Sequence, residues 1–289
     1  MALDTLFLPD LLWEPVITNA LREDFGTGGD VTTQSLMQGK PTLKASFVAR
    51  QDGRLAGLPG ARLAFTLLDG STRFTAFRQD GDRITRGDVL AEVEGPASAV
   101  LGGERVALNL LSHLSGIATT TGQIVDSVKG TGVSICCTRK TLPGLRALQK
   151  YAVRAGGGSN HRHRLDDAIM LKDNHLALFG SNIPAALAAA RQRAGHLMKI
   201  ELEVDSLTQL AEALQCPDGP DAYLLDNMTP AMLREAVNMI EGRAIAEASG
   251  GITPDTARSI AESGVDILSL GWLTHSVKAL DIGLDIRTA

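Results

Sequence analysis

The sequence lacks any apolar run of the roughly 18 residues a membrane span requires, so a transmembrane role is not expected. It lacks a basic start: "MALDTLFLPDLLWEP" carries acids inside its apolar stretch and does not read as a signal peptide. It lacks positive charge overall, with a formal net charge of −5. That speaks against a general nucleic-acid or membrane-surface role, which needs a basic field. Cysteine is scarce: Cys136, Cys137 and Cys216 are odd in number and show no CxxC spacing. The adjacent pair inside an apolar run is expected to be buried thiols of a cytoplasmic protein. No His/Cys cluster has zinc spacing, so no structural metal is expected. Aromatic residues make up only 4% of the chain, against 44% hydrophobic and 21% charged, the composition of a globular protein.

What is present divides into two halves. At 289 residues the chain suffices for one large domain or two ordinary ones. The first half opens with a helical pattern, "PDLLWEPVITNALREDF", whose Pro-Asp is a start signal. The period-2 stretches "TLKASFVAR" and "STRFTAFRQ" follow, as expected of an antiparallel sheet. "GDRITRGDVLAEVEG" resembles the tight hairpin of barrel-sandwich domains, with turns at Gly81 and Gly87 and core residues Val89, Leu90 and Val93. The long run "SAVLGGERVALNLLSHLSGIATTTGQIVDSVKG" has helical spacing, with a break expected near Ser115-Gly116.

From about residue 131 short apolar runs alternate with helical segments. "VSICCT", "AIMLK", "MKIELEV", "AYLLD", "AIAEAS" and "DILSLG" read as strands. "IPAALAAARQRAG", "SLTQLAEALQ", "PAMLREAVNMI" and "TPDTARSIAESG" read as helices. This is the pattern of βα units around a parallel sheet. An open doubly wound sheet would show the same alternation. The polar residues, however, fall where these strands end: Arg139 and Lys140, Lys172, Glu201 and Glu203, Asp226, Ser249-Gly250-Gly251 and Gly271. Contributions from every strand favour a closed or nearly closed barrel, whose sites sit at the carboxyl ends of the strands, over a sheet with one switch point.

Arg139, Lys140, Arg162 and Lys172, with His161, would gather four positive charges and an imidazole. Taken singly, each is as readily a surface residue. Two like charges ~5 Å apart repel by about 3 kcal/mol at an effective dielectric of 20, so convergence implies a bound anion or interleaved carboxylates. Arginine forks suit carboxylate or phosphate, and lysine adds a movable charge. Lys172 also admits a Schiff-base reading, as in barrel aldolases. In "KIELEVDS" the charges Lys199, Glu201, Glu203 and Asp205 alternate with apolar residues and are expected to point into the barrel. There Lys199 and Glu203 would form an interior ion pair, while Glu201 and Asp226 would face a hydroxylated or metal-bridged ligand such as Mg²⁺ favours. The glycine loops after the last two strands suit a phosphate. His275 reads as structural, His163 and Arg164 as lying just outside the site, and His175 as undecided.

"TRKTLPGLRALQKYAVRAGGGSNHR…LDDAIMLKDNH", with "GERVALNLLSHLSGIAT", "EVDS", "LLDNM", "EASGGI" and "SLGWLTHS", closely resembles the quinolinate phosphoribosyltransferase family over essentially the full chain. A paralogous group linked to molybdenum uptake lacks the complete HR…KDNH ending. The resemblance implies an α/β protein with an N-terminal α/β sandwich domain, residues 1–112, against which a tail of residues 276–289 packs. An incomplete, open α/β barrel of about seven parallel strands, residues 113–275, would follow. It implies a homodimer with shared active sites, or a higher oligomer built from it. The implied reaction joins quinolinate to 5-phosphoribosyl 1-pyrophosphate with Mg²⁺, giving nicotinate mononucleotide, CO₂ and pyrophosphate. By matching motif, Arg105 of the partner subunit, with Arg139, His161, Arg162 and Lys172, would bind quinolinate. Lys140, Glu201, Asp226, Ser249, Gly250 and Gly271 would bind the phosphoribosyl substrate. Of these, Lys140, Glu201 and Asp226 would be catalytic, and Glu201 and Asp226 would hold Mg²⁺, directly or through water. A Lys172-dependent lyase and a non-catalytic anion-binding protein are the competing readings.

Overall fold

The computed structural model describes residues 6–286. The first residues of the amino-terminal stretch and the last three of the 276–289 tail lie outside the described residues. The chain forms two compact units: one takes the residues up to Gly122, Thr141–Gly157 and the residues from Trp272 on; the other takes Gln123–Lys140 and Gly158–Gly271. No helix among the described residues is long and apolar enough to cross a membrane.

The first unit is built on an antiparallel sheet whose strands run Ile282–Ile286, Thr42–Ala49, Val89–Pro96, Arg73–Ala76 in spatial order. The two period-2 stretches therefore do not pair with each other; both pair with Val89–Pro96. The expected hairpin does not form. Gly81 and Gly87 do turn the chain, at φ 97° and 94°, but Arg83–Ile84 pairs with Gly53–Arg54 instead. Two close turns leave too few residues between them for a strand that could fold back on its successor. Helix Asp10–Phe25 begins at the Pro-Asp signal and buries Trp13, Ile17 and Leu21 on one face, four residues apart. Trp13 meets Tyr151 edge-on at 5.2 Å, and Phe47, Phe65 and Phe74 form a second aromatic cluster.

Helix Ala97–Ser127 runs unbroken through Ser115-Gly116. Gly116 is there for a close approach and not for a break, since a Cβ would lie 2.3 Å from the Lys278 carbonyl oxygen. Ser115 is satisfied by the Ala56 backbone, accepting from its amide at 3.0 Å and donating to its carbonyl at 3.2 Å.

The second unit holds a seven-stranded sheet, and all the pairings found within it are parallel. The six strands read from the sequence are there: Ser134–Cys137, Ile169–Leu171, Ile200–Val204, Ala222–Asp226, Ile245–Ser249 and Ile267–Ser269. The seventh, Ser159–Asn160, is a two-residue strand at one edge. The first strand, Ser134–Cys137, pairs with the last, Ile267–Ser269, which is the closing contact of a barrel. The cycle is broken only between Ser159–Asn160 and Ile169–Leu171, the two edge strands. The architecture is thus the open, incomplete barrel and not a doubly wound sheet. The four expected helices form as Ile183–Arg193, Leu207–Leu214, Pro230–Ile240 and Pro254–Ala261. Each opens on a side chain from Asn182, Ser206, Thr229 or Thr253 that accepts from a first-turn amide. Cys136 and Cys137 are buried thiols that form no disulfide.

Candidate active site

Inside the barrel the sheet curls far enough for distant strands to touch. His161 directly follows the edge strand Ser159–Asn160, and Glu201 lies five strands away in the sheet order. A flat sheet would separate such strands by about 24 Å at the usual interstrand spacing. Instead His161 Nε2 and Glu201 Oε2 are 2.8 Å apart, and Glu247 Oε1, from the strand between them, is 3.8 Å from the same nitrogen. The Arg162 amide donates to His161 Nδ1 at 2.8 Å. Nδ1 is therefore an acceptor, and the ring proton sits on Nε2 and is donated to Glu201. The ligand atoms of His161, Glu201 and Glu247 all lie within 4.8 Å of one another.

Glu247 is 3% exposed. Burial, and next the charge of Glu201, push its carboxyl up to about 7, while His161 opposes the shift. Glu247 is absent from the expectations above. Its signal was the alternation of "AIAEAS", where an acid between two alanines of a helix-flanked parallel strand must point inward.

Arg139 and Arg162 stand close enough that Arg139's charge, after burial, lowers the proton affinity of Arg162. Arg162 Nη1 donates to the Ala168 carbonyl at 2.7 Å. The Nε atoms of both arginines are buried without a partner, as are Glu247 Oε1 and the Ser269 hydroxyl. An unmade hydrogen bond on a buried polar atom costs about 1–3 kcal/mol, so four such atoms in one unit mark a site that a polar ligand completes. Interleaved acids meet much of the remaining positive charge. Lys172 Nζ donates to Glu203 Oε2 at 2.5 Å. This corrects the expected Lys199–Glu203 pair: Lys199 bonds Asp221 at 2.7 Å and is largely exposed. Four residues of strand separate Lys199 from Glu203 by about 13 Å, which puts them at opposite ends of the barrel. The Glu203 contact also engages Lys172 in an ion pair, unlike the free amine a Schiff-base lyase requires.

The other expected residues fall as follows. Lys140 is exposed just after strand Ser134–Cys137, its amide held by the Thr138 hydroxyl at 3.1 Å. Asp226 ends its strand half-buried and accepts from Asn227 Nδ2 at 2.6 Å. Ser249 ends the next strand and Gly250 follows it, with Gly250 and Gly251 at φ 89° and 60°. Gly271 follows the last strand, half-buried. Arg105 belongs to the first unit, exposed on helix Ala97–Ser127, where it lines a cavity of about 380 Å³ with Glu23, Asp24, Asn109 and His113. His175 is structural: its Nδ1 accepts from the Lys172 amide at 3.0 Å and opens the short helix Asp173–Ala177. His163 and Arg164 are exposed; both amides point at Asp167, and the Arg164 guanidinium pairs with Asp166 at 3.2 Å. His275 is exposed and bonds its neighbour Ser276.

An open α/β barrel whose strand ends carry unsatisfied arginines beside buried acids defines a protein that takes anionic ligands at the barrel mouth. Residues 117–285 match the family description "Quinolinate phosphoribosyl transferase, C-terminal domain", and residues 30–115 match the corresponding N-terminal domain. The chain belongs to the quinolinate phosphoribosyl transferase family. It is 47% identical over 264 residues to a probable nicotinate-nucleotide pyrophosphorylase [carboxylating] of Bacillus subtilis, covering 91% of this chain and 90% of that one. It is 45% identical over 275 residues to the nicotinate-nucleotide pyrophosphorylase [carboxylating] of Mycobacterium leprae, covering 93% and 95%. Among solved structures, NadC from Streptococcus pyogenes superposes with a TM-score of 0.92 at 40% identity, over 98% of this chain and 100% of that one.

Proposed function

We propose that this protein is a carboxylating nicotinate-nucleotide pyrophosphorylase of de novo NAD biosynthesis. It transfers phosphoribosyl from 5-phosphoribosyl 1-pyrophosphate to quinolinate with loss of CO₂, giving nicotinate mononucleotide and pyrophosphate. Family membership and the names of the relatives support the reaction. The observation in this chain that carries it is the pair of buried, unpartnered Nε donors on Arg139 and Arg162.

Those two forks, with Lys172, receive the quinolinate carboxylates and fix the ring so that its nitrogen faces the ribose; a weak nucleophile gains most from orientation. His161 accepts from the Arg162 amide and donates to Glu201, and so steadies the arginine's backbone. Arg105 of the partner subunit completes the quinolinate pocket in a homodimer. As pyrophosphate leaves, Lys140 offsets the charge growing on it. Asp226 stabilises the positive charge growing on the ribosyl carbon, while Ser249, Gly250 and Gly271 hold the 5-phosphate through backbone donors. Attack leaves the ring nitrogen cationic, and that nitrogen accepts the electron pair released when the adjacent carboxylate departs as CO₂.

Mg²⁺ favours one or two carboxylates together with substrate phosphates over an all-protein cage. Asp226 is a hard oxygen donor at a strand end whose hydrogen bond to Asn227 engages one oxygen, so it fits the ion. Glu201 pairs with Ala222, four residues before Asp226, about 13 Å away along the strands, and does not share an ion with it. Bound there, it would neutralise the pyrophosphate leaving group. Three cysteines that form no disulfide, two of them buried, support a cytoplasmic setting.

Purified protein given quinolinate, phosphoribosyl pyrophosphate and Mg²⁺ is expected to release CO₂ and form the nucleotide. Turnover of nicotinate without turnover of quinolinate would overturn the substrate assignment. Mixing Arg105→Ala with Lys172→Ala protein should restore part of the activity that each lacks. No rescue in verified heterodimers would remove the shared site.

A further inference from the structure

Strand ends Asp226 and Ser249 are in register, and the residue after Asp226 joins them in an unusual way. Asn227 has φ 55°, a left-handed conformation few non-glycine residues adopt and asparagine tolerates best. That turn carries its backbone amide to the Ser249 carbonyl at 2.9 Å, one step past the end of the strand ladder. It also swings the side-chain amide back, so that Nδ2 donates to Asp226 Oδ2 at 2.6 Å. The same side chain lies over Gly250: a Cβ on Gly250 would stand 2.2 Å from Asn227 Oδ1 and 2.6 Å from Cγ. Gly250 is itself left-handed at φ 89°. Two adjacent loops are therefore interlocked through one side chain.

We propose that Asn227 is a positioning residue that holds the Asp226 carboxylate and the Ser249-Gly250 loop in one fixed relation. The inference deepens the function proposed above and rests on it. Its donated hydrogen bond commits one oxygen of Asp226 and selects that side chain's rotamer, so the other oxygen is aimed at the ribosyl group. Its amide plane, laid on Gly250, sets the distance from that carboxylate to the phosphate-binding backbone. A transferring ribosyl phosphate is gripped at both points, and misplacement by about 1 Å can cost on the order of a hundredfold in rate.

Two substitutions separate this role from simple turn formation. Asn227→Gly keeps the left-handed backbone and removes the side chain. Asn227→Asp keeps the shape and exchanges the donor for a second carboxylate facing Asp226. A residue needed only for the turn would tolerate both. Positioning predicts that both lower kcat by about ten- to a hundredfold, with the quinolinate KM within about twofold and the melting temperature of the glycine variant nearly unchanged. The glycine substitution should add little in an Asp226→Asn background, because it acts through Asp226. Wild-type kcat in either single variant, or a full additional loss in the Asp226→Asn background, would overturn the proposal. Wild-type protein inactive on quinolinate and phosphoribosyl pyrophosphate would instead overturn the reading beneath it.

Discussion

Each unit of the molecule encloses a carboxylate, and the two are treated in opposite ways. In the first, Asp80 Oδ2 accepts from the Gly57 amide at 2.8 Å and the Tyr151 hydroxyl at 2.7 Å, and Oδ1 from the Leu58 amide at 3.2 Å. Those bonds cap the start of helix Leu58–Thr66, and they pull down a carboxyl that burial pushes up more strongly. In the second, Glu247 is buried with one oxygen unpartnered and a second acid beside it. A completed polar set maintains architecture, whereas an incomplete one waits for something the chain does not supply. Unpartnered hydroxyls occur in the first unit too, on Thr72 and Thr121; the second is set apart because its unpartnered atoms include those of Arg139, Arg162 and Glu247, charged side chains of one barrel.

The contrast can be tested from both sides. The largest effect is expected for Arg139→Ala. Losing a buried, charge-assisted contact to the substrate costs about 2–5 kcal/mol, so kcat/KM for quinolinate should fall by more than an order of magnitude. The melting temperature should hold or rise, because an unpartnered donor and its repulsion with Arg162 disappear. A large thermal destabilisation would show Arg139 to be architectural and break the comparison. For Asp80→Ala the pattern reverses. Leaving the Gly57 and Leu58 amides and the Tyr151 hydroxyl unmet should cost about 1–3 kcal/mol in denaturant titrations, with activity per folded molecule intact.

Smaller, and dependent on pH, is Glu247→Gln. With a folded value of about 7 against an ordinary one near 4.5, the native state keeps a proton that the unfolded chain has released. The stability Glu247 contributes is thus fully present below about pH 4.5 and is lost as pH rises through 7. The permanently neutral glutamine should leave the melting temperature little changed at pH 5 and raise it at pH 8. Equal effects at both values would show that the folded state does not hold the Glu247 proton and would overturn its incomplete setting. The smallest effect is expected for Arg164→Ala, whose exposed partners are worth little. Stability within about 0.5 kcal/mol and turnover within about twofold would confirm that the charge lies outside the site.

The barrel was legible because each βα unit announces itself: an apolar run, then a capped amphipathic helix, repeated through "MKIELEV", "AYLLD" and "AIAEAS". Strand Ser159–Asn160 was not, since two polar residues carry no periodicity and acquire strand geometry only by pairing with Cys136 and Cys137. Gly116 misled because a glycine that admits a neighbouring chain looks, in sequence, like one that ends a helix. The cations Arg139, Arg162 and Lys172 stood out against an acidic background. Glu247 did not, because its meaning lies in burial beside a second acid, a property of the folded interior. Lys199 and Glu203 were paired by proximity in sequence, although strand geometry sets four residues far apart.

The pairing of Ile282–Ile286 with Thr42–Ala49 also has a consequence in time. Every barrel strand lies between those two segments in the chain. During synthesis the first unit's sheet must therefore wait, with Thr42–Ala49 bearing an unfilled edge, until the ribosome has finished the whole barrel. Contacts of such sequence separation form slowly, and an unpaired strand edge invites misassembly meanwhile. The half of the molecule that is translated first is the half that finishes folding last.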